Sequence, residues 1–200
     1  ILEVFSGVQM AIKQNMEKAL AQYGEDIPIS KHPEIRSAEA CYLSSSKAIE
    51  LAKKTGARLH VFHLSTERET HLFSNKKPLS EKKITAEVCI HHLWFTDADY
   101  AEKGTKIKWN PAVKSEADRE GLWKALNDDR IDVIATDHAP HTIEEKEATF
   151  KHKDFEKRFF SEETNRVFCE TLINNALKDP ISGEIGKSLV FCVSQKHAVK

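Results

Sequence analysis

The sequence has few of the features that mark disulfide-rich or membrane proteins. Its four cysteines are Cys41, Cys89, Cys169 and Cys192, and no C-x-x-C spacing occurs. Such wide spacing argues against a disulfide scaffold and predicts a reducing environment, which we expect to be the cytoplasm. No window approaches the ~20 consecutive apolar residues that a membrane-spanning helix needs, so no membrane association is expected.

Charge imbalance and phosphate-binding loops are also missing. Thirty Lys and Arg residues face 31 Asp and Glu residues, giving a formal net charge of -1. A balanced surface produces no global field that would attract nucleic acid, so we expect no nucleic-acid partner. Gly183 and Gly186 precede Lys187-Ser188, but only two residues separate the glycines. A P-loop requires four residues between them, which excludes this motif.

The spacing of apolar residues in the sequence predicts helices and strands that follow one another along the chain. Helices are predicted over 8–23, 37–55, 97–103, 116–128 and 162–178. Strands are predicted over 59–64, 85–90, 131–135 and 188–193. This order predicts an α/β fold with parallel strands and helical crossovers. The 200 residues suit one ordinary domain, whereas a complete (β/α)8 barrel typically needs about 250.

The predicted helices have recognisable ends. Ser115 and Thr66 are candidate N-caps, each with an acidic residue three positions later, Asp118 and Glu69 respectively. Three helices are predicted to stop at glycine, namely at Gly24, Gly56 and Gly104. Agreement between period and caps supports the assigned element boundaries.

The most informative segment follows the strand over 131–135. It reads Thr136-Asp137-His138-Ala139-Pro140-His141. An apolar strand with Asp and His at its carboxyl tip is how α/β barrels build reaction centres. A carboxylate can bind a metal or accept a proton, and imidazoles can bind a metal, donate a proton or bind an anion. Asp137 and His141 are therefore candidate site residues; the alternative for Asp137 is a carboxylate that caps the following turn.

Two further candidates lie upstream. His63 falls at the carboxyl end of the strand over 59–64, where it could bind a metal or simply make a structural hydrogen bond. Asn110 precedes Pro111, so its backbone is non-helical and its amide can point into a cleft, although Asn-Pro is also a common turn. His91 and His92 are interpreted as residues at a barrel end rather than as metal ligands.

The motif T-D-H-A-P-H, followed by E-K, resembles the second signature of dihydroorotases, the cyclic amidohydrolases of pyrimidine synthesis. Segments 32–40 (HPEIRSAEA) and 58–66 (RLHVFHLST) resemble the region of the sixth strand of that family's barrel. Segments 86–93 (AEVCIHHL) and 108–112 (KWNPA) resemble the region of its seventh strand. The resemblance covers about 11–146, which is most of the predicted barrel domain.

This resemblance implies a partial (β/α)8 TIM barrel of the metal-dependent hydrolase type over 1–148. It implies reversible ring closure of N-carbamoyl-L-aspartate to L-dihydroorotate, a small-molecule substrate, at two zinc ions. By resemblance His63 is a zinc ligand, and Asp137 both contacts zinc and transfers the proton. Asn110 and His141 match positions that bind the pyrimidine ring and its carboxylate. A homo-oligomer is a further expectation.

The rest of the chain resembles a different family. Segments 150–160 (FKHKDFEKRFF) and 188–198 (SLVFCVSQKHA) resemble the motor subunit of type I restriction enzymes. The resemblance implies an appended α/β tail over 149–200, related to part of a helicase-like lobe. The two resemblances meet near 147–149, which predicts a chimeric or degenerate chain.

Several metal ligands of the family have no counterpart in this sequence. An H-x-H pair on the first strand, a lysine on the fourth and a histidine on the fifth cannot be placed. We therefore expect the chain to behave as part of a dihydroorotase-like barrel that is inactive by itself, and whether it is an enzyme stays open. The alternatives are an allantoinase- or dihydropyrimidinase-like ring hydrolase and a non-enzymatic chimeric fragment.

Overall fold

The structure is a computed structural model that describes residues 2–139 and 141–147, together with Glu170 and Asn174. Apart from those last two, the described residues belong to one compact unit that ends at Glu147. The predicted tail over 149–200, with its helix and strand, lies outside the described residues except at these two positions. None of the helices in the described part is long and apolar enough to cross a membrane.

Most helices of this unit fall close to the predicted ranges, but the first begins at Leu2, six residues before its predicted start at 8. Several short helices lie between the longer ones. The predicted helix over 97–103 consists of a 3₁₀ turn, Asp97–Asp99, followed by a short α-helix. The α-helices are α1 (Leu2–Tyr23), α2 (His32–Ile35), α3 (Ala38–Thr55), α4 (Glu67–Thr70), α5 (Ile90–Trp94), α6 (Tyr100–Lys103), α7 (Glu116–Asn127) and α8 (Ile143–Glu147).

Three parallel strands form one sheet in the order β1-β2-β3. They are β1 (Leu59–Val61), β2 (Ile84–Cys89) and β3 (Val133–Ala135). Leu59 pairs with Ile84, and Cys89 pairs with Ala135. The connections contain α4 and α7, so the predicted parallel arrangement with helices between the strands is confirmed. An antiparallel pair does not occur among the described strands.

Both outer strands are shorter than predicted, for identifiable reasons. β1 ends at Val61 because the chain turns at His63, where φ is 43°. At the other edge, the Ile131 N–H still donates to the Ala125 carbonyl of α7, at 3.1 Å. The ladder therefore begins later, at Val133.

A buried ion pair fixes β3 against β2. Lys82 donates to the Asp132 carboxylate at 2.6 Å, and their side chains are 7% and 3% exposed. The second carboxylate oxygen of Asp132 accepts from the Ala86 N–H at 3.0 Å, and the Lys82 ammonium also donates to the Asp129 carbonyl at 2.6 Å. Because buried charges need this many partners, the arrangement defines the register of the edge strand.

The predicted helix ends are largely as expected. Ser115 and Asp118 form the predicted capping box of α7. The Thr66 hydroxyl accepts from the Glu69 N–H, but the Glu69 carboxylate accepts from the Thr66 hydroxyl and the Ser65 N–H. The three predicted stop glycines all have positive φ, at 65°, 70° and 56° for Gly24, Gly56 and Gly104. Glycine adopts this left-handed conformation without the steric cost that a Cβ would add.

The core lies between the sheet and the helices that follow the strands. Its buried side chains come from α3, from β2 and from both connections between the strands, and burying each large apolar side chain stabilises the fold by about 1.5–3 kcal/mol. They are Ile49, Leu64, Phe73, Ala86, Val88, Leu93, Leu122, Ala125 and Ile131. A second cluster of Tyr100, Ile107 and Val113 packs beneath Trp109. This second cluster supports one wall of the site described next.

Candidate active site

The carboxyl ends of the three strands gather polar side chains at one edge of the sheet. His63, His91 and Asp137 each lie two residues beyond the end of their own strand. Because the strands are parallel and adjacent, these ends share one edge. His63 and Asp137 therefore lie at the same end of the sheet, as predicted, with one strand between them.

His63 and Asp137 are also alike in their backbone. Their φ values are 43° and 45°, in the left-handed region that non-glycine residues seldom enter. His63 is half-buried, and Asp137 is exposed. Strained residues at the ends of strands are a recurrent property of functional sites, where the surrounding structure holds side chains in place.

The loop that carries His63 is held by buried polar contacts. The Leu64 N–H donates to the Glu87 carbonyl at 2.9 Å, which extends the β1–β2 connection past the last ladder pair. The buried carboxylate of Glu69 accepts hydrogen bonds from the Ser45 hydroxyl at 2.6 Å and the Thr66 hydroxyl at 2.8 Å. A buried carboxylate with several donors rigidifies its surroundings, so His63 is held on a fixed loop.

A cleft of about 660 Å³ opens beside the ends of β2 and β3. Three predicted site residues, Asn110, Asp137 and His141, line it, and all three are exposed. The other lining residues are Ile90, His91, Lys108, Trp109, Thr136, His138, Ala139 and Lys146. This volume lies in the range of small-molecule sites. His63 does not line the cleft.

Trp109 forms a wall of this cleft and joins three distant segments. Its ring stacks on His91 with a centroid distance of 4.4 Å. The Lys146 ammonium lies 5.6 Å from the centroid of the same ring and donates to the Lys108 carbonyl at 3.1 Å. Behind the wall, the buried His32 Nε2–H donates to the Trp109 carbonyl at 2.7 Å. The wall is therefore fixed from both sides.

Two lysines make this cleft electropositive. Burial lowers the pKa of Lys108, and the charges of Lys146 and Arg36 lower it further. Burial also lowers the pKa of Lys146. Each shift reflects the loss of solvation of the ammonium group, an effect that a bound anion would oppose. Asp137 is the one acidic side chain among the described lining residues.

The histidines after β2 are held in their neutral forms. Burial lowers the pKa of His92 to about 3. Burial also lowers the pKa of His91; the Asp137 charge opposes this shift, while the charges of His63 and Lys146 add to it. Burial, and then the Asp137 charge, raises the pKa of the Cys89 thiol to about 12. Neutral imidazoles can donate a hydrogen bond or bind a metal through a lone pair.

Sequence reasoning missed two features of this edge. The lysines of the cleft lie within the segments that resemble dihydroorotases, but their convergence is a tertiary effect. The second feature is a cluster of Cys89, His91 and His92, whose donor atoms all lie within 4.8 Å of one another. The C-x-H-H spacing at a strand end was the available signal for this cluster.

The two-zinc site implied by the resemblance does not fit the described residues. His63 and Asp137 supply two donor groups, whereas a catalytic zinc normally takes three protein ligands. Among the described residues, the cluster after β2 is the one group of three or more metal-donor side chains that come together. The described residues therefore do not by themselves hold a zinc pair.

Comparisons with known proteins show that part of the chain is similar in sequence to dihydroorotases. A dihydroorotase of Carboxydothermus hydrogenoformans is 47% identical over 107 residues, covering 54% of this chain and 25% of that protein. A dihydroorotase of Latilactobacillus sakei is 42% identical over 110 residues, covering 55% and 25%. The predicted resemblance to dihydroorotases is thus confirmed over about half the chain. The chain spans about a quarter of the length of these curated relatives. No protein-family model matches the sequence.

Solved structures of hydantoinases have a similar fold. The L-hydantoinase (dihydropyrimidinase) from Arthrobacter aurescens is 25% identical, with a TM-score of 0.62 over 69% of this chain and 30% of that one. The D-hydantoinase (dihydropyrimidinase) from a Thermus species is 21% identical, with a TM-score of 0.60 over 68% and 30%. The described α/β unit therefore shares the fold of part of these enzymes.

Proposed function

We propose that residues 11–146 form the carboxyl-terminal part of a dihydroorotase-like cyclic amidohydrolase barrel. The observation that carries the proposal is the convergence of Asn110, Asp137 and His141 on one cleft at the carboxyl edge of parallel strands. The sequence similarity to dihydroorotases and the fold shared with hydantoinases support the same reaction class. The partial barrel itself is part of this proposal.

The charge of the cleft favours a substrate that bears a carboxylate. Burial lowers the pKa of both Lys108 and Lys146, and a carboxylate bound beside these ammonium groups would gain charge-assisted hydrogen bonds. The Asn110 amide can both donate to and accept from a cyclic amide. His141, which lines the same cleft, can add a further hydrogen bond. Dihydroorotate has both groups, a carboxylate and a ring amide.

Asp137 is the proposed proton carrier. Its carboxylate can accept a proton from an attacking water and return it to the amide nitrogen as the ring C–N bond breaks. Asp137 lines the cleft, and its backbone lies in the left-handed region. Two zinc ions act in the intact family, but completing that pair would need donors beyond the described residues.

Binding separates this proposal from its alternatives. Calorimetric titration should show that dihydroorotate binds at least about tenfold more tightly than dihydrouracil, which is the same ring without the carboxylate. Equal affinity would favour the dihydropyrimidinase-like alternative. If neither compound binds, the proposed function is wrong and the non-enzymatic alternative is favoured.

Catalysis is expected to be absent or nearly so in this chain alone. Zinc per chain after dialysis and dihydroorotate hydrolysis at neutral pH would be measured together. Two tightly bound zinc ions with turnover of about 1 per second or more would contradict this expectation. The cytoplasmic location, a homo-oligomer and the restriction-motor likeness of 150–200 stay predictions.

A further inference from the structure

We propose that Cys89, His91 and His92 form a binding site for one zinc-like divalent cation at the carboxyl end of β2. This site is distinct from the His63 and Asp137 positions that the resemblance assigns to zinc. It also goes beyond the proposed function, because a metal can bind here whether or not the chain hydrolyses a cyclic amide.

The donor set is compact and chemically selective. The Cys89 sulfur and one nitrogen from each histidine all lie within 4.8 Å of one another. Tetrahedral zinc at about 2.0–2.1 Å from nitrogen and about 2.3 Å from sulfur would require donor separations of roughly 3.3–3.6 Å. Zinc binding would therefore draw the three donor atoms closer together by up to about 1.5 Å. Thiolate and imidazole donors select zinc and similar cations over magnesium and calcium, which prefer oxygen.

His92 supplies the strongest single observation. Its ring is 2% exposed, and its Nε2 lies 3.1 Å from the Pro111 carbonyl oxygen. A carbonyl can only accept, so Nε2 carries the ring proton and Nδ1 presents a lone pair. This buried Nδ1 has no hydrogen-bond partner. Histidine ligands of metals almost always donate their other ring N–H to a carbonyl or carboxylate, which is the arrangement found here.

His91 and Cys89 complete the site from two directions. His91 is half-buried, packs against His92 with ring centroids 4.3 Å apart, and reaches the cleft. Cys89 is fully buried and forms no disulfide, and as the last residue of β2 it has a fixed backbone. Three protein ligands leave the fourth position of a tetrahedral ion for a water or ligand molecule, as in catalytic zinc sites.

Cobalt(II) titration of the metal-free 200-residue chain tests this site. One cobalt per chain should bind and give a thiolate-to-cobalt charge-transfer band in the near ultraviolet. Cys89→Ser should abolish that band. His92→Gln keeps an amide N–H for the Pro111 carbonyl but removes the Nδ1 donor, and it should weaken binding at least about tenfold. Cys41→Ser alters the other described free cysteine and should leave the band and the affinity unchanged.

X-ray absorption of the zinc-loaded wild-type chain gives an answer that needs no variant to fold. One sulfur at about 2.3 Å and nitrogen at about 2.0–2.1 Å from zinc are expected. The proposal is wrong if zinc has no sulfur neighbour, if cobalt gives no thiolate band, or if Cys89→Ser binds cobalt as the wild type does. Because no substrate is present, these outcomes are independent of cyclic-amide binding.

Discussion

His63 and Asp137 adopt the same uncommon backbone conformation at equivalent places, two residues beyond β1 and β3. Their φ values differ by only 2°, which is the difference between 43° and 45°. A left-handed conformation at a residue with a Cβ costs roughly 1–2 kcal/mol. Contacts at this edge of the sheet therefore hold both residues in a backbone conformation that is unfavourable for the isolated chain.

This strain predicts that glycine variants are more stable than alanine variants at these positions, which reverses the usual order of stability. At His63 and at Asp137, the glycine variant should be more stable than the alanine variant by about 1 kcal/mol, since only alanine keeps the Cβ clash. Urea denaturation of the four variants would measure the difference. At Glu50, an exposed position within α3, alanine should instead exceed glycine by about 1 kcal/mol. The same order at all three positions would contradict the strain.

The lysines of the cleft predict a selective loss of carboxylate binding. Lys146→Met should weaken dihydroorotate binding by about tenfold, which corresponds to one charge-assisted hydrogen bond of about 1.4 kcal/mol. Dihydrouracil binding should change little. Lys124→Met, at an exposed position of α7 outside the cleft, serves as the control. An equal effect of both variants on dihydroorotate would argue against the proposed carboxylate site.

Burial of His32 predicts acid sensitivity. The pKa of its imidazole falls from 6.5 to about 4 in the folded chain, chiefly because of burial. As the pH drops, the unfolded state takes up this proton first, so the free energy of unfolding decreases between about pH 6.5 and 4. This pKa shift corresponds to at most about 3 kcal/mol of unfolding free energy. The His32→Gln variant should therefore lose less stability than the wild type over this pH range, by up to that amount.

The pH profile, rather than the stability at one pH, is the measurement for His32. Denaturation at pH 7, 5.5 and 4.5, values chosen to span about the window given by linkage, would be compared for wild type and variant. Identical profiles for wild type and His32→Gln would contradict the assignment.

Breaking the buried ion pair between Lys82 and Asp132 should cost much more stability than breaking an exposed ion pair. Asp132→Ala should destabilise the chain by about 3–5 kcal/mol, because it leaves Lys82 charged and buried and the Ala86 N–H without its acceptor. Glu17→Gln, which breaks the exposed pair with Lys13, should cost less than about 1 kcal/mol. Thermal denaturation would compare them; similar losses would show that the Lys82–Asp132 pair is not essential.

Local signals in the sequence predicted most of this fold. Ser115 with Asp118 marked the start of α7, Gly56 marked the end of α3, and apolar periods located all three strands of the sheet. These features depend on residues a few positions apart. The end of β1 was not predicted, because it depends on a long-range contact in which the Leu64 N–H donates to the Glu87 carbonyl of β2. Among the short helices, α2, α5 and α8 were not predicted.

The candidate site was likewise predicted where it depends on local motifs and missed where it depends on long-range contacts. Asp137, His141 and Asn110 were predicted from motifs, and the structure brings them to one cleft. Their roles stay predictions. Lys108 and Lys146 were not predicted, since 38 positions separate them and only Trp109 and the fold bring them together. The orphan nitrogen of His92 depends on the Pro111 carbonyl, which no sequence pattern specifies.

Trp109 gives the cleft an optical signal of its own. Its indole stacks on the His91 ring and lies near the Lys146 ammonium, so a ligand that moves either group changes the surroundings of the chromophore. The other two tryptophans, Trp94 and Trp123, are 74% and 41% exposed and line no part of the cleft. Their emission should resemble that of indole in water, whereas half-buried Trp109 should emit at shorter wavelength. Occupancy of the cleft can thus be read from the intrinsic fluorescence of the chain, without a label.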